Sequence, residues 1–277
     1  MLRDELGLMF GRLRIRVLLF ALAAVPVGYA IGVRLSGNAT GDAPPFVGQI
    51  PQSGVYAGLA GLTTTAPAIL PLVLAVVAGD AIAGEADFGT LRSLLTAPIS
   101  RGRLLGIKMM AVCIFAVAAT LVVTCAGLLA GALLFHLGAV PTVTGQDVPG
   151  PTMQLTGPAV SLIAGVGRVV LAALVAGAQL FGFAAIGVFL SCLTRVPLAA
   201  TVGLAGVLGI SDALESVAFL KPIRAAIPST YWDGYTALFH SHVQIGDTLR
   251  ALTVSLCYLV VFGSAAWLRF RRADIAT

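Results

Sequence analysis

Few residues in this chain combine a type and a spacing that could do chemistry. The three histidines are His136, His240 and His242. His240 and His242 stand two apart, a spacing that suits a strand, and no third ligand stands beside them, so no metal site is expected. Cys113, Cys125, Cys192 and Cys257 form no C-x-x-C pair and fall in or beside apolar runs, which reads as packing. The two lysines, Lys108 and Lys221, follow Ile107 and Leu220. A phosphate-binding loop needs glycine before its lysine, so no nucleotide site and no cofactor are expected in this chain. No HExxH, GxSxG or Cys-His constellation appears, and no catalytic residue is assigned. The unusual charges are carboxylates: Glu85 and Asp87 beside a basic cluster, and Asp212 with Glu215 beyond an apolar run. Ionisable groups near a membrane are costly and take partners or mark function. Asp212 and Glu215 are three apart and could share a helical face, but the run is expected to end near Ile210, leaving them solvated.

The rest of the chain must be a bilayer-spanning scaffold. Of 277 residues, 58% are hydrophobic and 10% charged, against roughly 25% charged in soluble domains. So few charges cannot cover a soluble fold, whereas lipid accepts an apolar surface. The net charge of +5 is carried by basic residues beside apolar runs, which points to membrane topology and not to nucleic acid. Each span needs about 20 apolar residues. The expectation is an all-α membrane protein, one transmembrane domain over residues 1–277, with six spans near 17–33, 56–78, 107–135, 169–193, 196–210 and 252–268. The first run exceeds a typical signal core and is read as a retained span. Pro26, Pro67 and Pro71 predict kinks in spans one and two.

Twelve of the seventeen basic residues fall on the side that holds both ends, the 79–108 loop and Arg195. The excess places both termini in the cytoplasm of a cell-membrane protein. Within 79–108, Phe88, Leu91, Leu94 and Leu95 recur at helical spacing, Pro98 stops the run, and Ser100 is placed to cap the next helix. A short amphipathic helix is expected to lie on the membrane surface between spans two and three. Glu85 and Asp87 need partners there, such as Arg92 or Arg101, or a docked protein.

Gly84-Glu85, Gly89-Thr90-Leu91, Leu94-Leu95, Pro98-Ile99-Ser100-Arg101 and Lys108 resemble the signature of ABC-2 type transporter permeases. The tail Phe270-Arg271-Arg272-Ala273-Asp274-Ile275 resembles that family's ending more weakly. The resemblance implies an exporter subunit whose surface helix is a coupling helix pressing on a separate ATPase pair, which would bind ATP and magnesium. On this reading the coupling residues are Gly84, Glu85, Phe88, Gly89, Thr90, Leu91, Leu94, Leu95, Pro98 and Arg101. It also implies a second permease chain, identical or paralogous, and an outer segment between spans five and six that dips into the membrane. In that segment Pro222 and Pro228 break the pattern, and Tyr231, Trp232 and Tyr235 form an aromatic cluster, read either as an interfacial anchor or as an outer gate. The small-residue pairs Gly28/Gly32 and Gly127/Gly131 have spacing that lets helices approach, without fixing which helices.

Two other classes compete. An ion-coupled secondary transporter would want mid-span carboxylates and an internal repeat, and neither is evident. A lipid-modifying membrane enzyme would want clustered histidine, aspartate or arginine at one interface, and the cytoplasmic segment has no histidine.

Overall fold

The structure is a computed structural model, and it describes residues 1–36, 46–87, 100–140, 158–216, 227, 229–239 and 245–272. The described residues form helices and no named strand. A short helix α1 (Leu2–Gly11) precedes α2 (Leu13–Ser36). Then come α3 (Tyr56–Thr65), α4 (Ile69–Asp87) and the long α5 (Arg101–Leu134). The second half holds α6 (Leu162–Gln179), α7 (Phe181–Ser191), α8 (Pro197–Ser216), a 3-10 segment over Ser229–Phe239, and α9 (Ile245–Arg272). Six of these units, counting α6 and α7 as one, are long and apolar enough to cross a bilayer.

The helices interlock through close backbone approaches. Helices in lipid gain little from apolar contact alone and rely on small residues that let backbones meet. Gly127 and Gly131 of α5 lie against Gly58 and Gly54, so that pair packs within the chain. Gly28 and Gly32 of α2 have open space around them. α4 packs on α7 and α8, and α9 packs on α7. Val140 and Val160 exchange both backbone hydrogen bonds, at 3.0 and 2.9 Å.

The limits of all six spans differ from the sequence-based ones, and spans two and five differ in ways that relocate charged groups. Span two, expected over 56–78, is divided at residues 66–68 by the turn that carries Pro67, and its crossing helix is α4. Pro71 falls in the first turn of α4, where a missing N–H is tolerated. α3, too short to cross at about 1.5 Å per residue, is buried along most of its length. Pro26 does not break α2; it packs against Gly61 of α3, which has no side chain to obstruct it. Span five continues past Ile210 to Ser216, so Asp212 and Glu215 lie within α8. Asp212 is exposed, while Glu215 is half-buried and accepts hydrogen bonds from the Ser229 and Thr230 hydroxyls at 2.6 and 2.9 Å.

Candidate functional site

At the bundle end that holds both termini, three elements converge on one buried cation. Lys108 lies two turns into α5, and its side chain is only 5% exposed. Its ammonium donates to Glu5 of α1 at 2.7 Å and to Glu85 near the end of α4. One turn back along α4, Asp80 accepts from Arg12 and Arg14, each at 2.7 Å, where α1 hands over to α2. Three cations thus meet three carboxylates, and the formal charges cancel. A lone buried charge is expensive, and pairing is what makes Lys108, Asp80 and Glu85 tolerable at 5%, 11% and 13% side-chain exposure.

Local sequence explains how the groups are aimed. Asp80 and Glu85 are five apart on α4 and so leave the helix about 140° apart; Arg12 and Arg14 reach Asp80 from the α1–α2 junction, and Lys108 reaches Glu85 from α5. Gly84 stands one turn above Asp80, and a Cβ there would lie 2.8 Å from Asp80 Cγ, against the carboxylate itself. Glycine at 84 therefore leaves room for the carboxylate that both arginines hold. Met9, Ile15, Val77, Ala111 and Val112 line the small cleft around these charges and limit water.

The expected positions are distributed as follows. Glu85 meets Lys108, a residue in the signature but not among the expected partners. Arg101 opens α5 directly after Ser100, which stands at the capping position without a side-chain cap bond. Phe88, Gly89, Thr90, Leu91, Leu94, Leu95 and Pro98 lie outside the described residues, as do Pro222, Pro228 and the tail from 273. Of the aromatic cluster, Tyr231 carries the Arg250 guanidinium 5.4 Å from its ring centre. Trp232 and Tyr235 turn into the protein, with Trp232 edge-on to Phe183 at 5.5 Å. Both side chains are packed inside the protein. Sequence reasoning missed Glu5, Asp80, Arg12, Arg14 and Lys108 as one site. The only local signal was a cation and an acid inside otherwise apolar helices.

Asp80→Asn is expected to lower stability by about 1–3 kcal/mol, because two guanidinium groups lose a charged acceptor. Arg12→Gln or Arg14→Gln alone should cost under about 1 kcal/mol, since each arginine is half exposed and the other still holds Asp80. Unfolding midpoints of the purified protein in nanodiscs measure both. Equal losses from all three variants would refute the shared-acceptor geometry.

A bundle of six helices long and apolar enough to cross a bilayer is a multi-pass membrane protein. The chain belongs to the ABC-2 family of transporter proteins, whose pattern it matches over residues 14–212. It is 41% identical over 88 residues to "Probable ABC transporter permease protein NosY" of Pseudomonas aeruginosa. It is 36% identical over 88 residues to the protein of the same name from Stutzerimonas stutzeri. Each alignment spans 32% of this chain and 28% of the relative's length.

Proposed function

We propose that this chain is the permease subunit of an ATP-driven ABC exporter, forming half of a translocation path with a second permease chain. A separate ATPase pair docks on the end where both termini lie, which is the cytoplasmic side of the cell membrane. That pair binds ATP and magnesium; this chain holds neither. The observation that carries the reading is the charge cluster at the root of segment 88–97. Glu85 is bound there to α5 and α1 through Lys108. A push on the segment would therefore be delivered to three helices together, as a lever requires. The family membership and the printed name of the relatives support the same reading.

In operation, ATP closes the ATPase pair, the pair moves the surface segment, and α4 and α5 tilt to switch access to the path. The test is reconstitution of the permease with a Walker A ATPase sought in the neighbouring reading frames. Glu85→Gln and Arg101→Glu are expected to reduce permease-dependent stimulation of ATP hydrolysis by fivefold or more while the complex still assembles. Full stimulation in both variants would remove the coupling role of this segment, and failure of any ATPase to co-purify would remove the ATP-driven reading.

A further inference from the structure

Span four is broken without a proline. α6 stops at Gln179, Leu180 donates its N–H to the Gly177 carbonyl at 3.3 Å, and α7 starts at Phe181. A one-residue gap in a helix with no proline near it is explained where a foreign group is inserted in the helix ladder. Here the group is the Ser255 hydroxyl of α9. It accepts from the Gly182 N–H at 3.0 Å and donates to the Ala178 carbonyl at 3.1 Å. In an unbroken helix those two backbone groups bond to each other, being four residues apart. The hydroxyl therefore stands in for one rung. It reaches that rung because Gly182 lacks a side chain: a Cβ there would fall 2.8 Å from Tyr258 Cβ and 2.9 Å from the Ser255 carbonyl. Ser255 is buried, so water does not supply the bridge.

An independent observation marks the same place. Gln179, at the break, is 2% exposed, and neither atom of its amide has a hydrogen-bond partner. Its nitrogen lies against Gly234 of the 3-10 segment, where a Cβ would be 2.9 Å away. The next residue, Tyr235, is wholly buried with its hydroxyl also unbonded. Unmet buried groups cost about 1–3 kcal/mol each, so the packing beside the break carries a penalty. A second arrangement is at hand, because Ala178 and Gly182 can close their own rung once the hydroxyl leaves. The far end of α7 is tied to α4: the Ser191 hydroxyl donates to the Gly79 carbonyl at 2.7 Å and accepts from Ile82 and Ala83 at 3.1 and 2.9 Å. Those α4 residues bracket Asp80.

We propose that Ser255 is a positioning residue that holds span four bent. Its release lets the Ala178–Gly182 rung close, swings α7, and through Ser191 moves the α4 end that carries Asp80 and Glu85. That this motion serves transport rests on the function proposed above; the hinge itself does not. Spin labels placed by Ile163→Cys and Leu193→Cys, with the four native cysteines replaced, report the distance across the break in the permease alone in nanodiscs. Ser255→Ala is expected to lengthen and narrow the distance distribution by about 1–3 Å as the helix straightens at 1.5 Å per residue. Ser255→Thr, which keeps the hydroxyl, should retain the parent distribution. If Ser255→Ala fails to fold, Ser255→Cys, a weaker bridge of similar size, should give a partial shift. A folded Ser255→Ala or Ser255→Cys protein whose distribution superimposes on the parent overturns the hinge. A shifted distance with unaltered ATPase stimulation in the reconstituted complex overturns its transport role. Because the distances are taken without any ATPase, their failure leaves the exporter reading standing, and failure to find an ATPase leaves the hinge standing.

Discussion

Lys108→Met will lower the stability of the purified permease by about 2–4 kcal/mol, the largest loss expected from any single charge removed from this protein. Removing one partner of a buried pair leaves the other charge uncompensated, at a typical cost of about 3–5 kcal/mol. Here two carboxylates are stranded. The lower figure applies because Glu5 and Glu85 keep 23% and 13% of their side-chain surface exposed. The triple variant Glu5→Gln, Lys108→Met, Glu85→Gln should recover most of the loss, because neutral groups of similar shape replace a buried ion cluster at little net cost. Glu5→Gln alone should cost less than Glu85→Gln, since Glu5 sits in the more exposed terminal helix. Unfolding midpoints in nanodiscs distinguish these cases. If the triple variant were as unstable as Lys108→Met, packing of the lysine stem and not charge would be what holds the elements together. The triple variant is also the useful functional probe. It keeps the fold but loosens the link between α1 and the coupling root, so ATPase stimulation should fall while stability does not.

That cluster shows what local sequence could and could not reveal. The six-span layout follows from apolar runs near bilayer length, and the clustering of basic residues beside them is plain in the sequence. The limits of the spans are not, because hydropathy scores every charge as if it were alone. α4 was expected to end by 78, yet it runs to Asp87, carrying Asp80 and Glu85 with it. Its charges are matched by Arg12, Arg14 and Lys108, and Arg12 lies 68 residues away from Asp80. Glu5 and Lys108 are 103 apart. The same reasoning covers α8, which passes Ile210 and brings Glu215 to Ser229 and Thr230. The break at Gln179 has no local cause at all, since the hydroxyl that makes it comes from α9. Proline is no surer a guide, since α2 continues through Pro26 while the turn at 66–68 carries Pro67. Gly84 and Glu85, two residues of the family resemblance, were legible by type, but their contacts with Asp80 and Lys108 appear only in the folded bundle.

Gly131→Ala and Gly127→Ala will each destabilise the protein by about 3 kcal/mol, at the upper end of what overpacking costs. A Cβ at Gly131 would overlap the Gly54 carbonyl, and one at Gly127 would lie 2.5 Å from Gly58 Cα and 2.6 Å from the Ala57 carbonyl. The obstacles are backbone atoms, so no side chain can rotate away, and α3 must separate from α5. α3 depends on that contact more than a spanning helix would. It has ten residues and is buried along most of its length, and Gly54 just before it donates to the His136 carbonyl at 3.1 Å. Opening the seam therefore releases the hydrogen bond and the packing together. The two substitutions lie one turn apart on one seam, so the double variant should lose less than the sum of the singles. Gly28→Ala and Gly32→Ala supply the contrast. A Cβ at either position meets nothing within 4 Å, and alanine is the better helix former by about 1 kcal/mol. These two should leave the unfolding midpoint of the single chain unchanged or raised. Their open surroundings also separate two kinds of glycine that look identical in sequence: a pair consumed inside the fold, and a pair left on its surface. Midpoints for Gly131→Ala and Gly28→Ala that agree within error would show that the α3–α5 seam yields freely, and the close approach would then carry no stability.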